Sequence, residues 1–166
     1  MPELSQKERL QLSLLDRLTD DEPTKKSESR EKRVINVSRL KEVVQRDLAW
    51  LLNSVAAATS IDLDDYPEVQ TSTLNYGIPD LSGVTAASLN IKTIERELGK
   101  CITRFEPRII PRTLRINANL AKKEMNGNTL SFEISADLWA QPLPLQLYLH
   151  TDIDIENGIV SISQWR

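Results

Sequence analysis

A single histidine and a single cysteine limit the catalytic chemistry available to this chain. His150 would have to supply any Ser-His-Asp or Cys-His arrangement, yet it falls inside a predicted strand and no Gly-x-Ser-x-Gly turn accompanies it. Cys101 alone rules out an intramolecular disulfide and a cysteine zinc site, and we predict that it is a core residue. One histidine also rules out a multi-histidine metal site. We therefore predict no catalytic residue, no metal and no cofactor.

Carboxylates are the remaining groups that could catalyse a reaction. Glycoside cleavage needs one carboxyl in a dry pocket and a second at a defined distance. The candidates are Glu106, Asp62, Asp64, Asp65 and Glu133, and no spacing singles out a pair. The three aspartates loosely resemble a calcium loop, but the required Gly and the distal Glu are missing at their offsets. Paired-carboxylate catalysis is therefore a non-specific alternative.

One helix-forming stretch carries a stripe of positive charge. Its basic residues recur every four positions, which aligns them on one side of a helix: Lys92, Arg96, Lys100 and Arg104. The stripe could contact nucleic acid or an acidic protein surface, or it could simply face solvent. Because aromatic residues are few and not interleaved with the stripe, and the net charge of the chain is −3, we predict no nucleic-acid binding.

The sharpest local feature is the junction at residues 104–108, where the basic helix is predicted to end. Pro107 disfavours a helical backbone at Glu106 and fixes the direction of the chain. Glu106 and Arg108 are then opposite charges at a rigid corner, available to a complementary groove, and charge-assisted bonds from Arg108 would be strong. We predict that removing either charge weakens partner binding and leaves the isolated fold intact.

The N-terminal segment carries leucines on one side of a short helix. Leu10, Leu14 and Leu18 recur every four residues, with Leu15 beside them, and a charged, serine-containing stretch follows. The helix either folds back on its own core or docks on a partner from a flexible linker, as short amphipathic helices do. Both readings are kept as alternatives.

Periodicity along the rest of the chain predicts two helices followed by strands. Apolar residues follow the 3.6-residue helical period over residues 38–55, with Ser38 as candidate N-cap, and again over residues 86–105. Asp47 falls inside the first apolar arc, so it must find a cation or backbone donors. Alternating apolar residues then predict three or four strands, near residues 114–120, 130–138, 145–151 and 159–162.

These elements predict an α+β fold in which two main amphipathic helices pack on an antiparallel meander of three or four strands. The 166-residue length suits one domain. We assign residues 38–166 to that domain and residues 1–37 to an N-terminal anchor, a short helix on a flexible linker. Between the two main helices, a turn-rich loop is predicted to contain a short strand at residues 69–74.

Four short motifs, in order along the chain, resemble a known family. They lie at residues 14–18 (Leu-Leu-Asp-Arg-Leu), 46–53, 74–81 and 106–108. Each motif alone is weak evidence for a family, while four motifs in the same order are specific evidence. Together they resemble the TssE family of type VI secretion baseplate subunits, which is similar to the small sheath-initiating wedge protein of contractile-tailed phages.

The resemblance implies a structural adaptor without enzymatic activity. The implied partners are the baseplate proteins TssF, TssG and TssK, the TssB/TssC contractile sheath, and the spike or tube proteins. The family's Glu-Pro-Arg motif is associated with gripping the wedge core, and arms of the sheath could add strands to the sheet. The residues that we predict to bind partners are Glu106, Pro107, Arg108, Arg104, Leu14, Leu15 and Leu18.

The family's historical description as lysozyme-like suggests the alternative function, a cell-wall glycosidase. The chain has no run of 18 apolar residues, and its N-terminus lacks the charged-then-apolar layout of a secretory signal. We therefore expect a cytoplasmic protein, in a baseplate docked at the inner-membrane complex, without direct membrane insertion. A protein in the cytoplasm has no direct route to the periplasmic cell wall, which counts against the glycosidase.

Overall fold

The structure, a computed structural model, describes residues 13–19, 24, 37–81, 90–118, 129–140 and 144–164. Within these residues, helices pack on a four-stranded antiparallel sheet, which confirms the predicted α+β class. Three short 3₁₀ turns complete it, at Ala57–Thr59, Thr73–Asn75 and Pro111–Thr113. The helices are α1 (Leu14–Leu18), α2 (Val37–Leu52), α3 (Pro67–Thr71) and α4 (Ile91–Phe105), and the strands are β1 (Arg115–Ala118), β2 (Thr129–Leu138), β3 (Leu145–Asp154) and β4 (Val160–Gln164).

The sheet is a meander in the order β1-β2-β3-β4, and each strand is antiparallel to the next. Ile134 shows the register, because it lies opposite both Ile116 of β1 and Leu149 of β3. Apolar side chains alternate along β2 and β3 and are buried in one core with those of α2 and α4. The fully buried side chains include Leu48, Leu51, Ile102, Phe132, Ile134, Leu149 and Ile153.

Cys101 belongs to this core, as predicted from its place on the apolar arc of α4. Its Sγ donates to the carbonyl oxygen of Gly77 at 3.1 Å. Burial raises the pKa of the Cys101 thiol to about 11. At neutral pH the side chain is therefore a protonated thiol that packs like a small hydrophobic residue.

The predicted boundaries of helix α2 are wrong at both ends. The helix begins at Val37, so Ser38 lies in its first turn and is not the N-cap. It ends at Leu52, and Val55, which was expected on the buried arc, is 59% exposed. Trp50, on the same helix, is half exposed. The buried arc is therefore narrower than the apolar pattern indicates.

The segment between α2 and α4 also differs from its prediction. The strand predicted at residues 69–74 is wrong, because these residues form the end of α3 and part of a 3₁₀ turn. Pro67 occupies the first turn of α3, where its fixed φ favours a helix. Helix α4 begins at Ile91, five residues later than predicted, and the side chain of Asn90 accepts the N–H of Thr93 as its N-cap. Leu10 and the predicted linker, apart from Thr24, lie outside the described residues.

The outer edge of β4 is bonded to helix α2 through side-chain amides. Asn53 Nδ2 donates to the carbonyl of Val160 at 2.9 Å, and Asn53 Oδ1 accepts the N–H of Val160 at 2.9 Å. Gln45 Nε2 donates to the carbonyl of Ile162 at 3.0 Å. An edge strand normally presents unpaired backbone groups, which favour pairing with other chains. Gln45 of α2 and Asn53, the first residue after α2, therefore occupy three of these groups on β4.

Replacing Asn53 with alanine is expected to lower the free energy of unfolding by about 1–2 kcal/mol, since both backbone groups of Val160 lose their partners. Urea denaturation of the purified chain measures this. Asn117→Ala, at an exposed position of β1, is the matched control and is expected to stay within about 0.5 kcal/mol of the wild type. Equal stability of the two variants would contradict the role assigned to Asn53.

Candidate partner-binding site

The corner at residues 106–108 joins helix α4 to the sheet. Glu106 ends the helix, and its N–H donates to the carbonyl of Ile102 at 2.9 Å. Immediately after Pro107, the chain pairs with the end of β2, where the N–H of Trp139 donates to the carbonyl of Arg108 at 2.7 Å. The corner is thus fixed on one side by a helix and on the other by a strand.

The two charges of the corner face each other. Arg108 Nε lies 2.6 Å from Glu106 Oε1 and Arg108 Nη2 lies 2.5 Å from Glu106 Oε2, a bidentate pair, and the N–H of Arg108 also donates to Oε1 at 3.1 Å. Glu106 is only 3% exposed. Its carboxylate therefore faces inward and is not at the surface of the corner, which departs from the picture that the sequence suggested.

Arg108 and Asp47 extend this pair into a chain of ionic contacts. Arg108 Nη2 lies 2.6 Å from Asp47 Oδ2, and Arg46 Nη2 lies 2.7 Å from Asp47 Oδ1. Arg46 then reaches helix α1, where its Nη1 and Nη2 lie 2.6 and 3.1 Å from the two carboxylate oxygens of Asp16. The prediction that Asp47 must find a cation or backbone donors is confirmed, because it binds two arginines. This series of ion pairs is continuous from Asp16 to Glu106.

The pKa values of Asp16 and Arg108 reflect these ion pairs. Hydrogen bonds from Arg46 hold the pKa of Asp16 below its ordinary value. Burial by itself would lower the pKa of Arg108, but bonds from Glu106 and Asp47 outweigh it and keep that pKa above its ordinary value. Both effects favour the charged forms of Asp16 and Arg108 at neutral pH.

An open groove with a volume of about 470 Å³ lies over these ion pairs. One aromatic wall is formed by Tyr76 and Phe105, whose rings meet edge to face at 5.2 Å. The rest of the lining comes from α1 and its N-cap, from α2 and from the corner. The lining residues are Ser13, Leu15, Asp47, Leu48, Trp50, Leu51, Tyr76, Phe105, Glu106, Pro107 and Arg108.

Helix α1 lies beside this groove with its leucines largely outside the core. Leu14, Leu15 and Leu18 are 69%, 49% and 75% exposed, and of the three only Leu15 lines the groove. The Asp16 to Arg46 contact joins α1 to α2. The helix thus lies against its own domain through an ion pair and leaves its apolar side chains accessible.

The remaining predicted residues lie around the groove or outside it. Pro107 is exposed and lines the groove. Arg104 is exposed beside Phe105, with its guanidinium carbon 5.9 Å from the ring centroid, and it donates a hydrogen bond of 2.8 Å to the carbonyl of Gln70. Asp16, Arg46 and Trp50 were not predicted as site residues. Both charged residues stand in the quoted motifs, but no local pattern pairs positions 30 residues apart.

Of the five carboxylates considered for catalysis, Glu106 alone lines the groove, and Glu133 lies in strand β2. Asp62, Asp64 and Asp65 are exposed in the loop before α3, and they do not line the groove. The groove carries Asp47 and Glu106, but Arg108 bonds both of them. The part of the chain that the structure describes contains no cluster of His, Cys, Asp and Glu suited to a metal ion. In the same residues, no helix combines the length and apolar character that a bilayer-spanning segment requires.

Comparison with known families identifies the fold. The family model described as baseplate wedge protein gp25 matches residues 38–143, more than half of the chain. The chain belongs to this family. The match contains α2, α4, the corner and the first half of the sheet, and TssE proteins are members of the same family, so the predicted resemblance is confirmed.

Membership of the gp25 family makes this chain a structural component of a contractile baseplate wedge, which interacts with other baseplate proteins. Neither a search of curated proteins nor a search of solved structures finds a match. Helix α1 and strands β3 and β4 lie outside the matched residues, so the family match by itself describes none of them.

Proposed function

We propose that this gp25-family protein is the TssE subunit of a type VI secretion baseplate. In this role it is a cytoplasmic adaptor without enzymatic activity, in a baseplate docked at the inner-membrane complex. It binds the wedge proteins TssF and TssG, with TssK nearby and the spike or tube proteins as further neighbours. It also docks or initiates the TssB/TssC sheath. The observation that carries this proposal is the family match across the corner and both main helices.

The geometry of the groove supports wedge binding. Its walls are mostly apolar and aromatic, and exposed leucines of α1 stand beside it. Apolar surface that stays accessible next to a concave site is typical of protein docking. In this proposal, Pro107 and the leucines contact the partner, while the bonds between Glu106 and Arg108 hold the backbone of the corner in place. Residues 1–37 would serve as the anchor segment, and residues 38–166 as the wedge domain.

The two edges of the sheet differ in their availability to a sheath arm. On β4, the amides of Asn53 and Gln45 occupy three outward backbone groups. On β1, the described residues make one such contact, from the N–H of Ala118 to Glu95 Oε1 at 2.8 Å. An added strand would have to displace fewer internal bonds at β1. We therefore propose β1 as the edge that a sheath arm joins.

Catalysis is not part of the proposed role. A general acid must deliver its proton to the substrate from a pocket that the substrate can enter. Both oxygens of Glu106 already accept hydrogen bonds from Arg108, so neither is placed to protonate a sugar oxygen. A turnover assay on purified peptidoglycan, with Glu106→Gln as the comparison, is expected to show no hydrolysis by either protein. Hydrolysis that depends on Glu106 would overturn the adaptor assignment.

Wedge binding is tested with the double variant Leu14→Ser, Leu18→Ser. We expect its affinity for co-expressed TssF and TssG to fall at least about tenfold, since exposed apolar contacts at an interface core are lost. Its melting temperature is expected to change little, because both side chains are exposed. The matched control is Ile61→Ser, Ile159→Ser, two exposed positions that lie outside α1 and do not line the groove. Normal co-purification of the leucine variant would contradict the proposed anchor.

A further inference from the structure

Helix α1 has little to hold it in place besides its ion pair. Five residues are far too few for a stable isolated helix in water. Leu14 and Leu18 are mostly exposed and Leu15 is half exposed, so the three leucines bury little apolar surface against the core. Ser13 supplies an N-cap by accepting the N–H of Asp16. Among the described residues, the contact that fixes α1 to the rest of the molecule is the bidentate bond between Asp16 and Arg46.

Arg46 makes three contacts at once. Its guanidinium bonds Asp16 on α1 and Asp47 on its own helix, and its central carbon lies 4.8 Å from the Trp50 ring centroid. The side chain of Asp16 is only 9% exposed in this contact. A planar guanidinium suits these contacts, because it can bond two carboxylates in its plane while its face covers an aromatic ring. A lysine cannot reproduce that arrangement.

Asp47 connects this contact to the corner. One of its oxygens accepts from Arg46 and the other from Arg108, so the two guanidinium groups share one carboxylate. Any movement of the corner that turns Asp47 therefore also changes the bond between Asp47 and Arg46. The position of α1 and the shape of the corner are thereby linked through a single side chain.

We propose that Arg46 is a positioning residue that preorganises helix α1 for docking and, through Asp47, couples α1 to the Glu106 and Arg108 corner. An ordered α1 presents its leucines at the groove before the partner arrives, which reduces the ordering entropy lost on binding. The partner surface in this inference is the TssF and TssG wedge, so this part rests on the proposed function. The coupling within the free chain does not.

The free chain tests the positioning role directly. Leu18→Cys introduces an accessible thiol for a nitroxide label, while the native Cys101 stays buried and unreactive. Adding Arg46→Gln is expected to raise the mobility of the label in its electron paramagnetic resonance spectrum. Asp47→Asn, which does not touch α1, is expected to do the same to a smaller extent. Arg96→Gln on α4 is the matched control and should change nothing, because Arg96 is exposed and its ion pair is with Glu97 of the same helix.

Affinity measurements separate a positioning role of Arg46 from a general loss of stability. Against co-expressed TssF and TssG, Arg46→Gln is expected to weaken affinity about tenfold, as is Arg46→Lys. When Leu18→Ser is added to Arg46→Gln, the affinity should fall by at most about a further twofold, since the leucine is no longer held in position. Additive losses would overturn the proposal, as would an unchanged spectrum for the Arg46→Gln or the Asp47→Asn label. If the wild type fails to bind TssF and TssG, the proposed function fails, while the spectra still decide the role of Arg46.

Discussion

Replacing Arg108 with methionine is expected to lower the free energy of unfolding by about 3–5 kcal/mol. Methionine keeps the apolar part of the side chain but leaves the buried carboxylate of Glu106 without its two guanidinium bonds. Asp47 loses one of its two cations in the same step. An uncompensated buried charge is among the most costly defects that a point mutation can produce. Urea denaturation of the wild type and the variant at pH 7 measures the loss.

Two comparison variants isolate the cause. Arg112→Met removes a positive charge at an exposed position close to the corner, and it should change stability by no more than about 0.5 kcal/mol. The double variant Glu106→Met, Arg108→Met removes both members of the pair and should recover much of the loss, since no charge is left unpaired. If the double variant is as unstable as Arg108→Met, the unpaired carboxylate is not the reason for the loss.

Replacing Gly77 with alanine is expected to lower the free energy of unfolding by about 3 kcal/mol or more, as backbone strain and steric overlap add. The backbone of Gly77 has φ of +127°, which side-chain-bearing residues rarely adopt. A Cβ built there lies 2.3 Å from the carbonyl oxygen of Ser54, which itself accepts the N–H of Ile78. Thermal unfolding measures the loss. Displacement of this segment would also move Tyr76 and thereby open one wall of the groove.

Gly99 provides the matched control for this substitution. It lies inside helix α4, and a Cβ there has 3.9 Å to its nearest neighbour, the Cδ1 of Ile116. Because alanine favours a helix interior over glycine, Gly99→Ala should stabilise the protein by about 0.5–1 kcal/mol. Opposite signs for the two variants are the expected pattern. A mild effect of Gly77→Ala would show that the segment next to α2 can shift at low cost.

The corner shows how the structure changes an expectation drawn from the sequence. The local pattern indicated a rigid junction with two opposite charges, and the rigid junction is present. The same pattern led us to expect that either charge could be removed without loss of the fold. Burial of Glu106 and its bidentate bond to Arg108 now predict the opposite. A sequence motif does not reveal how deeply its own side chains are buried, since burial depends on what packs around them.

The main elements could be predicted because their signals are local. Helices α2 and α4 and the strands of the meander follow from the spacing of apolar residues over one or two turns or a few alternations. The errors fell at boundaries and in the segment before α4, where short-range preferences compete with one another. The sequence also predicted that Asp47 needs a cation or backbone donors, because a carboxylate within an apolar arc is costly to bury without a partner.

Sequence alone therefore determined the α+β class, the two core helices, the meander and the poverty of catalytic residues. Tertiary structure decided which charges meet. Asp47 and Arg108 are 61 positions apart and Asp16 and Arg46 are 30 apart, and no periodic pattern links such positions. Ion pairs form only when packing brings distant segments within a few ångströms, whereas helices and strands are specified by neighbours along the chain. The groove and its coupled ion pairs are accordingly properties of the folded molecule.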